Sequence, residues 1–181
     1  MQADAMPAEA MRAEADIDID LDLDLDLQVC SEAEAICVCQ AQPRFDLIVS
    51  IDACTNMYEQ AERAKILALL EQHADRVVSF NFMDTCDELN MDGPRASDAR
   101  EAKILGQSLK PGARVLVHCV AGVSRSPAFA MLMLEARGLS REQSLAVVKR
   151  IRPISRPNKL LLKLAGELNE LDLHVSDQVI L

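Results

Sequence analysis

The segment from His118 to Pro127, HCVAGVSRSP, holds the residues of this chain that are best suited to chemistry. It follows an apolar run, Ala113 to Val117, and we expect a helix to begin near Ser126. A strand that breaks into a loop of small residues and then into a helix directs backbone N–H groups and the positive end of the helix dipole at one point. The pattern therefore predicts a binding site for an anion.

Two side chains of this loop suit a bound phosphate. A cysteine at a helix N-terminus beside a cation loses its proton readily, so Cys119 would supply a thiolate nucleophile at neutral pH. Arg125, six positions later, carries a planar fork of N–H donors that matches two oxygens of one phosphate, which a lysine ammonium does not. The nucleophile and the anion-binding group would therefore meet at one point.

The remaining polar and small residues of the loop are expected to support this pair. Gly122 would allow a tight turn with the amides facing inward. His118 is expected to brace the loop by hydrogen bonding rather than to act as a base. Ser126 is expected to donate its hydroxyl to the Cys119 sulfur, and the role of Ser124, beyond tying the loop to its neighbours, stays open. Such a pattern arises by chance on the order of 10⁻⁵ times in a chain of this length, so an inert core cysteine is a poor alternative.

The sequence HCVAGVSRS resembles the signature loop of the cysteine-dependent protein tyrosine phosphatases, in the form found in the dual-specificity branch and its small prokaryotic relatives. The resemblance extends more weakly over about residues 27–170, through FDLIVSI, RVVSFNFMD and IRPISRPNKLLLKL. It implies that Cys119 is the nucleophile, that Arg125 binds the phosphate, and that Ser126 assists breakdown of a phosphocysteine. It also implies a pocket lined by the backbone amides of Val120, Ala121, Gly122, Val123, Ser124 and Arg125.

The same resemblance implies a general acid, an aspartate on a separate loop. The chain has no tryptophan, so the Trp-Pro-Asp motif of the larger tyrosine phosphatases is missing. Asp84 ends the apolar run VVSFNFMD, where a strand would reach the active-site edge, and Asp87 lies 32 residues before Cys119, a spacing expected of compact dual-specificity domains. Asp84 is preferred and Asp87 stays open. Cys86, between them, is a candidate for a reversible disulfide with Cys119.

Strand and helix patterns alternate along the chain. They predict a single α/β domain with a mainly parallel, twisted sheet, helices on both of its faces, and the signature loop between a strand and a helix. Ser31 to Glu34 has the spacing of a capping box, although ICVC at 36–39 would also suit a strand. The predicted strands are 45–51, 76–82 and the run before Cys119; the predicted helices are 57–72, 97–109, 126–137, 140–150 and one with Pro157 in its first turn that reaches about Leu171.

Residues 16–27 alternate Asp with Ile or Leu, which has the period of a strand. Because like charges repel and aspartate is depleted in strands, we expect a disordered acidic tail over residues 1–26 that joins the sheet only near Leu27 to Cys30. The phosphatase domain would then cover residues 27–172, followed by a C-terminal tail over 173–181.

Composition excludes several other classes of protein. The chain of 181 residues has a net charge of −10, but residues 1–29 hold nine acidic residues and one basic residue, so the rest is nearly neutral and has no basic stripe for nucleic acid. Six cysteines without a signal-like N-terminus indicate a reducing cytoplasm. Cys30, Cys37 and Cys39 lack a fourth ligand at suitable spacing, so neither a metal nor another cofactor is expected. No apolar run reaches 18 residues, so no membrane span is expected.

These observations favour a metal-free, two-step hydrolysis of phosphomonoesters through a phosphocysteine. Val120 and Val123 occupy loop positions where related lipid phosphatases often carry lysine, which favours a phosphorylated protein or peptide as the partner. Phosphotyrosine is the expected substrate, with phosphoserine and phosphothreonine left open. Two alternatives also stay open: a phosphate-recognising binding module without catalysis, and a sulfurtransferase, whose cysteine loop also binds an oxyanion. The oligomeric state is not indicated by the sequence.

Overall fold

A computed structural model describes residues 24–168, which form one parallel sheet with helices on both faces. Its strands stand in the order β1-β4-β2-β3, and every neighbouring pair is parallel. Parallel neighbours need crossover connections, which helices provide here. The strands are β1 (Leu25–Ser31), β2 (Phe45–Asp52), β3 (Ala74–Asn81) and β4 (Ala113–Cys119).

Six helices cover the two faces of the sheet, so the α/β architecture predicted from the sequence is confirmed. The first two pack on one face, and the other four pack on the opposite face. Over residues 24–168, no helix combines the length and the apolar character needed to cross a membrane. The helices are α1 (Glu32–Ala41), α2 (Met57–Glu71), α3 (Ala96–Ser108), α4 (Arg125–Glu135), α5 (Arg141–Ile151) and α6 (Lys159–Gly166).

The central strands β2 and β4 and the helix α4 form the core. Strands that are covered on both faces need apolar side chains on both, and the runs 47–49 and 115–117 are 0–2% exposed. Helix α4 starts directly after the signature loop, and its residues 128–134 are 0–1% exposed. The loop that would carry the chemistry is therefore fixed between the two most buried elements of the domain.

The capping residues decide where the helices begin. Ser31 and Glu34 form the predicted capping box at the start of α1, so the segment 36–39 is helix and the strand alternative is wrong. Ser140 and Gln143 form a second capping box before α5. Pro157 precedes the cap of α6 instead of lying in its first turn: the cap is Asn158, whose side chain accepts a hydrogen bond from the N–H of Leu161 at 3.0 Å. That helix ends at Gly166, earlier than predicted.

Strand β1 begins at Leu25, two residues before the predicted edge of the domain. The leucines of the alternating run face the core, and its aspartates meet arginines: Asp24 pairs with Arg137, and Asp26 pairs with Arg114 at 2.9 Å. Opposite charges thus replace the repulsion expected between the aspartates themselves. The predictions of tails over residues 1–23 and 173–181 lie outside the described residues.

Candidate active site

Cys119 is the last residue of β4, and two donors point at its sulfur. The backbone N–H of Gly122 lies 3.3 Å from the Cys119 Sγ, and the Ser126 hydroxyl lies 3.2 Å from it, which is the serine contact predicted from the sequence. Cys119 is 1% exposed and Ser126 is fully buried. Donors fixed in this way stabilise negative charge on the sulfur.

Gly122 fits a turn that no other residue would fit without strain. Its φ is +68°, in the left-handed region. A Cβ on Gly122 would also lie 2.5 Å from the backbone carbon of Cys30 and 2.5 Å from the backbone nitrogen of Ser31. The loop therefore packs directly on the end of β1, and only glycine allows this approach.

The loop carbonyls are held from outside. All five carbonyl oxygens from Val120 to Ser124 accept hydrogen bonds from residues beyond the loop, at 2.6–3.5 Å. Because the C=O and N–H of a trans peptide point in opposite directions, outward carbonyls direct the following N–H groups inward. This orientation matches the amide-lined pocket expected from the sequence. The donors, in chain order of the carbonyls, are the N–H of Glu32, the Arg152 guanidinium twice, and the N–H groups of Arg156 and Asn158.

Arg125 begins α4 and lies in the wall of the site. Its side chain is largely buried, and its Nη1 donates to the backbone oxygen of Phe82, just beyond β3, at 2.9 Å. Its Nε has no hydrogen-bond partner within residues 24–168. The guanidinium is therefore anchored at one end with donors left for an oxyanion.

The structure brings Asp84, and not Asp87, to the signature loop. The Asp84 Oδ1 accepts hydrogen bonds from the Ser124 hydroxyl at 2.6 Å and from the Asn158 Nδ2 at 2.9 Å. The Asp87 Oδ1 instead accepts from the N–H of Leu89 at 3.0 Å, a turn contact within its own segment. Ser124, whose role the sequence left open, therefore joins the loop to the preferred acid candidate.

The other cysteines stay apart from this chemistry. Cys86 is exposed and Cys119 is buried, and both are free thiols. Cys30 and Cys39 are buried, whereas Cys37 is exposed. Within the described part of the chain, no group of three or more His, Cys, Asp or Glu side chains could hold a metal ion.

His118 does not brace the loop through its side chain, so that prediction is wrong. Neither ring nitrogen has a hydrogen-bond partner among the described residues, and the side chain is 1% exposed. The strand register places His118 beside Cys30 of β1 and Ser50 of β2. Burial, and then the positive charge of Arg63, lower the pKa of His118 to about 4. The imidazole is therefore neutral near pH 7 and fills space behind the loop.

This buried imidazole predicts an acid-sensitive fold. Its folded pKa of about 4 lies below the ordinary 6.5, so the unfolded chain binds more protons between these values, and stability is lost as the pH falls from 6.5 toward 4. Between pH 7 and pH 4.5, His118→Gln should lose about 2–3 kcal/mol less free energy of unfolding than the wild type, measured by urea denaturation. An equal loss in both proteins would contradict this cause.

Gly122→Ala is expected to damage both stability and the site. The positive φ and the contact with the β1 backbone together should cost about 2–4 kcal/mol, measured by denaturation. A shifted loop should lower kcat/KM for an aryl phosphate on the order of 100-fold. Gly112→Ala is the matched control, because Gly112 has a φ of +78° but nothing within 4 Å of a Cβ. Similar losses of activity in both variants would refute the packing argument.

The sequence did not reveal the residues that support the loop from behind. Arg152 and Asn158 lie in IRPISRPN, a segment that carried part of the family resemblance but to which no role was assigned. The only available signal was the concentration of Arg, Pro and Asn between two predicted helices. Their contacts depend on residues far away in the chain, so composition alone could not identify them.

Comparison with known proteins agrees with this geometry. Residues 27–167 match the family described as dual specificity phosphatase, catalytic domain, and the chain therefore belongs to that family. No curated protein matches the sequence.

Solved structures share the fold at low identity. Human DUSP28 is 21% identical, with a TM-score of 0.56 over 78% of this chain and 86% of that one. A human tyrosine phosphatase-like serine/threonine/tyrosine-interacting protein is 23% identical, with a TM-score of 0.54 over 78% and 89% of the two chains. The PTP-2 phosphatase of Cydia pomonella is 22% identical, with a TM-score of 0.54 over 78% and 84%. These similarities concern the fold.

Proposed function

We propose that this chain is a phosphoprotein phosphatase that hydrolyses phosphotyrosine, with phosphoserine and phosphothreonine as further substrates, through a phosphocysteine intermediate. The observation that carries the proposal is the Cys119 sulfur at the base of the signature loop, with hydrogen bonds from Gly122 and Ser126. Arg125 and Asp84 are held beside the same loop.

In the first step, Arg125 and the inward amides bind the phosphoryl oxygens. The Cys119 thiolate attacks phosphorus in line with the ester oxygen, so that an S–P bond forms as the P–O bond breaks. Asp84 gives its proton to the departing oxygen of the side chain. The products are the dephosphorylated protein and a phosphocysteine.

In the second step, water attacks phosphorus while the Asp84 carboxylate accepts its proton. The S–P bond breaks, and Ser126 stabilises the sulfur as it leaves with the electron pair. Inorganic phosphate is released, and the thiolate and the protonated Asp84 are restored. The proposed scheme takes its charge stabilisation from Arg125 and the loop amides, without a metal.

A protein substrate is supported by the surface around the loop. Nearly all exposed large apolar side chains of the described residues follow the carboxyl ends of the strands or lie in loops beside the site, and such surfaces commonly contact other proteins. No lysine of the signature loop adds the positive charge that a polyanionic inositol phosphate would favour. The side chains of this rim are Met57, Tyr58, Met83, Leu89, Met91, Val120 and Ile154.

The test combines a substrate panel with trapping of the intermediate. Phosphotyrosyl, phosphoseryl and phosphothreonyl peptides and an inositol phosphate are compared at equal concentration, and an acid-quenched reaction is digested for mass spectrometry. We expect peptide turnover and the mass of one phosphoryl group on Cys119. Oxyanion binding without turnover would instead indicate a binding module. Preference for the inositol phosphate would overturn the substrate class, and sulfur transfer from thiosulfate would indicate a sulfurtransferase.

A further inference from the structure

Arg152, which directly follows α5, connects three parts of the chain behind the signature loop. Its Nε donates to the Gly122 oxygen at 3.3 Å, and its Nη2 donates to the Ala121 oxygen at 3.5 Å. Its Nη1 pairs with the Glu34 Oε1 at 2.9 Å. The other carboxylate oxygen of Glu34 accepts from the N–H of Ser31 at 2.8 Å and from the Ser31 hydroxyl at 2.7 Å, which completes the cap of α1.

The two peptides that Arg152 holds are the two that flank Gly122. A peptide beside glycine reorients more easily than its neighbours because no Cβ restricts it. The peptide between Ala121 and Gly122 has its carbonyl on Arg152 and its N–H on the Cys119 sulfur. If it flipped, a carbonyl dipole would face the sulfur and any bound oxyanion in place of an N–H donor.

We propose that Arg152 is a positioning residue for the signature loop: it fixes the peptides on both sides of Gly122 with their carbonyls outward, and Glu34 orients its guanidinium. This inference rests on the proposed function only in taking the bound group to be a phosphate-like oxyanion. Arg152 touches the carbonyl side of the loop and acts through the backbone. Val123 and Ser124 need no such clamp, because backbone N–H groups hold their carbonyls.

The charge on Glu34 agrees with this arrangement. The hydrogen bond from Arg152, followed by those from Ser31, lowers the pKa of Glu34 from 4.5 to about 2. The carboxylate therefore stays ionised over the pH range in which phosphomonoesters are assayed. In a Glu34→Gln variant, the neutral side-chain amide would still accept a hydrogen bond but would orient Arg152 less strongly.

The chain offers a matched control at the other end of α4. Arg137 also pairs with a half-exposed carboxylate, that of Asp24, and also donates to two backbone oxygens, those of Gly106 and Leu109 at 2.9 Å each. The side chains of Arg137 and Arg152 are 11% and 18% exposed. Replacing either arginine removes the same kinds of interaction, but only Arg152 contacts the signature loop.

The experiment compares Arg152→Met, Arg137→Met and Glu34→Gln with the wild type. Tungstate affinity is measured by calorimetry, kcat and KM with an aryl phosphate, and Tm by thermal unfolding. We expect Arg152→Met to weaken tungstate binding and lower kcat/KM on the order of 10–100-fold, with a smaller effect of Glu34→Gln. Arg137→Met should lower Tm to a similar extent but keep tungstate affinity and kcat/KM within about twofold, because it is remote from the loop.

The outcomes separate this inference from the proposed function. Wild-type tungstate affinity in Arg152→Met, or an equal loss in Arg137→Met, would overturn the positioning role while leaving the phosphatase proposal intact. A wild type that binds tungstate but hydrolyses no phosphomonoester would overturn the proposed function, and weakened binding in Arg152→Met alone would still support positioning. Absence of tungstate binding in the wild type would refute both.

Discussion

Replacing Cys119 with serine should lower kcat for an aryl phosphate on the order of 10⁴-fold or more, measured from initial rates. A serine hydroxyl is a weak nucleophile unless a base removes its proton. The nearest histidine in the chain, His118, is buried and neutral near pH 7, with a neighbouring position on β4 that faces away from the loop. Nothing else in the described site replaces the thiolate that Gly122 and Ser126 stabilise.

Tungstate binding gives this experiment an internal control. Arg125 and the loop amides are unchanged in Cys119→Ser, so the variant should keep tungstate affinity within about tenfold, which shows that the pocket is folded. Cys86→Ser serves as the matched cysteine control, because Cys86 is an exposed free thiol, and it should hydrolyse the ester at the wild-type rate. Turnover that survives in Cys119→Ser would refute covalent catalysis by this sulfur.

Replacing Asp84 with asparagine should slow phenyl phosphate hydrolysis about 10²–10⁴-fold, the range for loss of a general acid. Asparagine keeps an oxygen that can accept from Ser124 and Asn158 but cannot protonate the departing oxygen. The defect should therefore grow as the leaving group becomes more basic, and it should be small for nitrophenyl esters, which depart without a proton. The measurement is log kcat against the pKa of the leaving phenol.

Asp87→Asn is the control for this series. Asp87 makes a turn contact with Leu89 and does not touch the signature loop, so its replacement should change the rates by less than about threefold at every leaving group. If Asp87→Asn shows the leaving-group dependence and Asp84→Asn does not, the acid is Asp87. Asp84 would then serve only to tie Ser124 to Asn158.

The signature loop could be predicted from the sequence because its chemistry is local. Cys119, Gly122, Arg125 and Ser126 lie within eight positions, and the strand before them and the helix after them determine where each side chain points. The alternation of strand and helix patterns similarly determined the parallel α/β fold, because a parallel pair requires a crossover. The capping boxes before α1 and α5 are local signals of the same kind.

The acid and the supports of the loop depend on contacts between distant residues. Asn158 and Asp84 are 74 positions apart, and Arg152 and Glu34 are 118 apart. Such pairs meet only after the order β1-β4-β2-β3 has placed β1 beside β4 and the segment after α5 behind the loop. Spacing from Cys119 left Asp84 and Asp87 both open, whereas the contacts of their side chains separate them.

The sequence by itself determined a nucleophile and an anion-binding loop, since contiguous residues share one local backbone. Only the tertiary structure decided how that backbone is oriented and which aspartate reaches it. It also showed that His118 is a buried, neutral side chain and that β1 extends to Leu25 through aspartates paired with arginines. The physical reason is the same in each case: the outcome depends on burial and on charges from other elements, which have no counterpart in the order of residues along the chain.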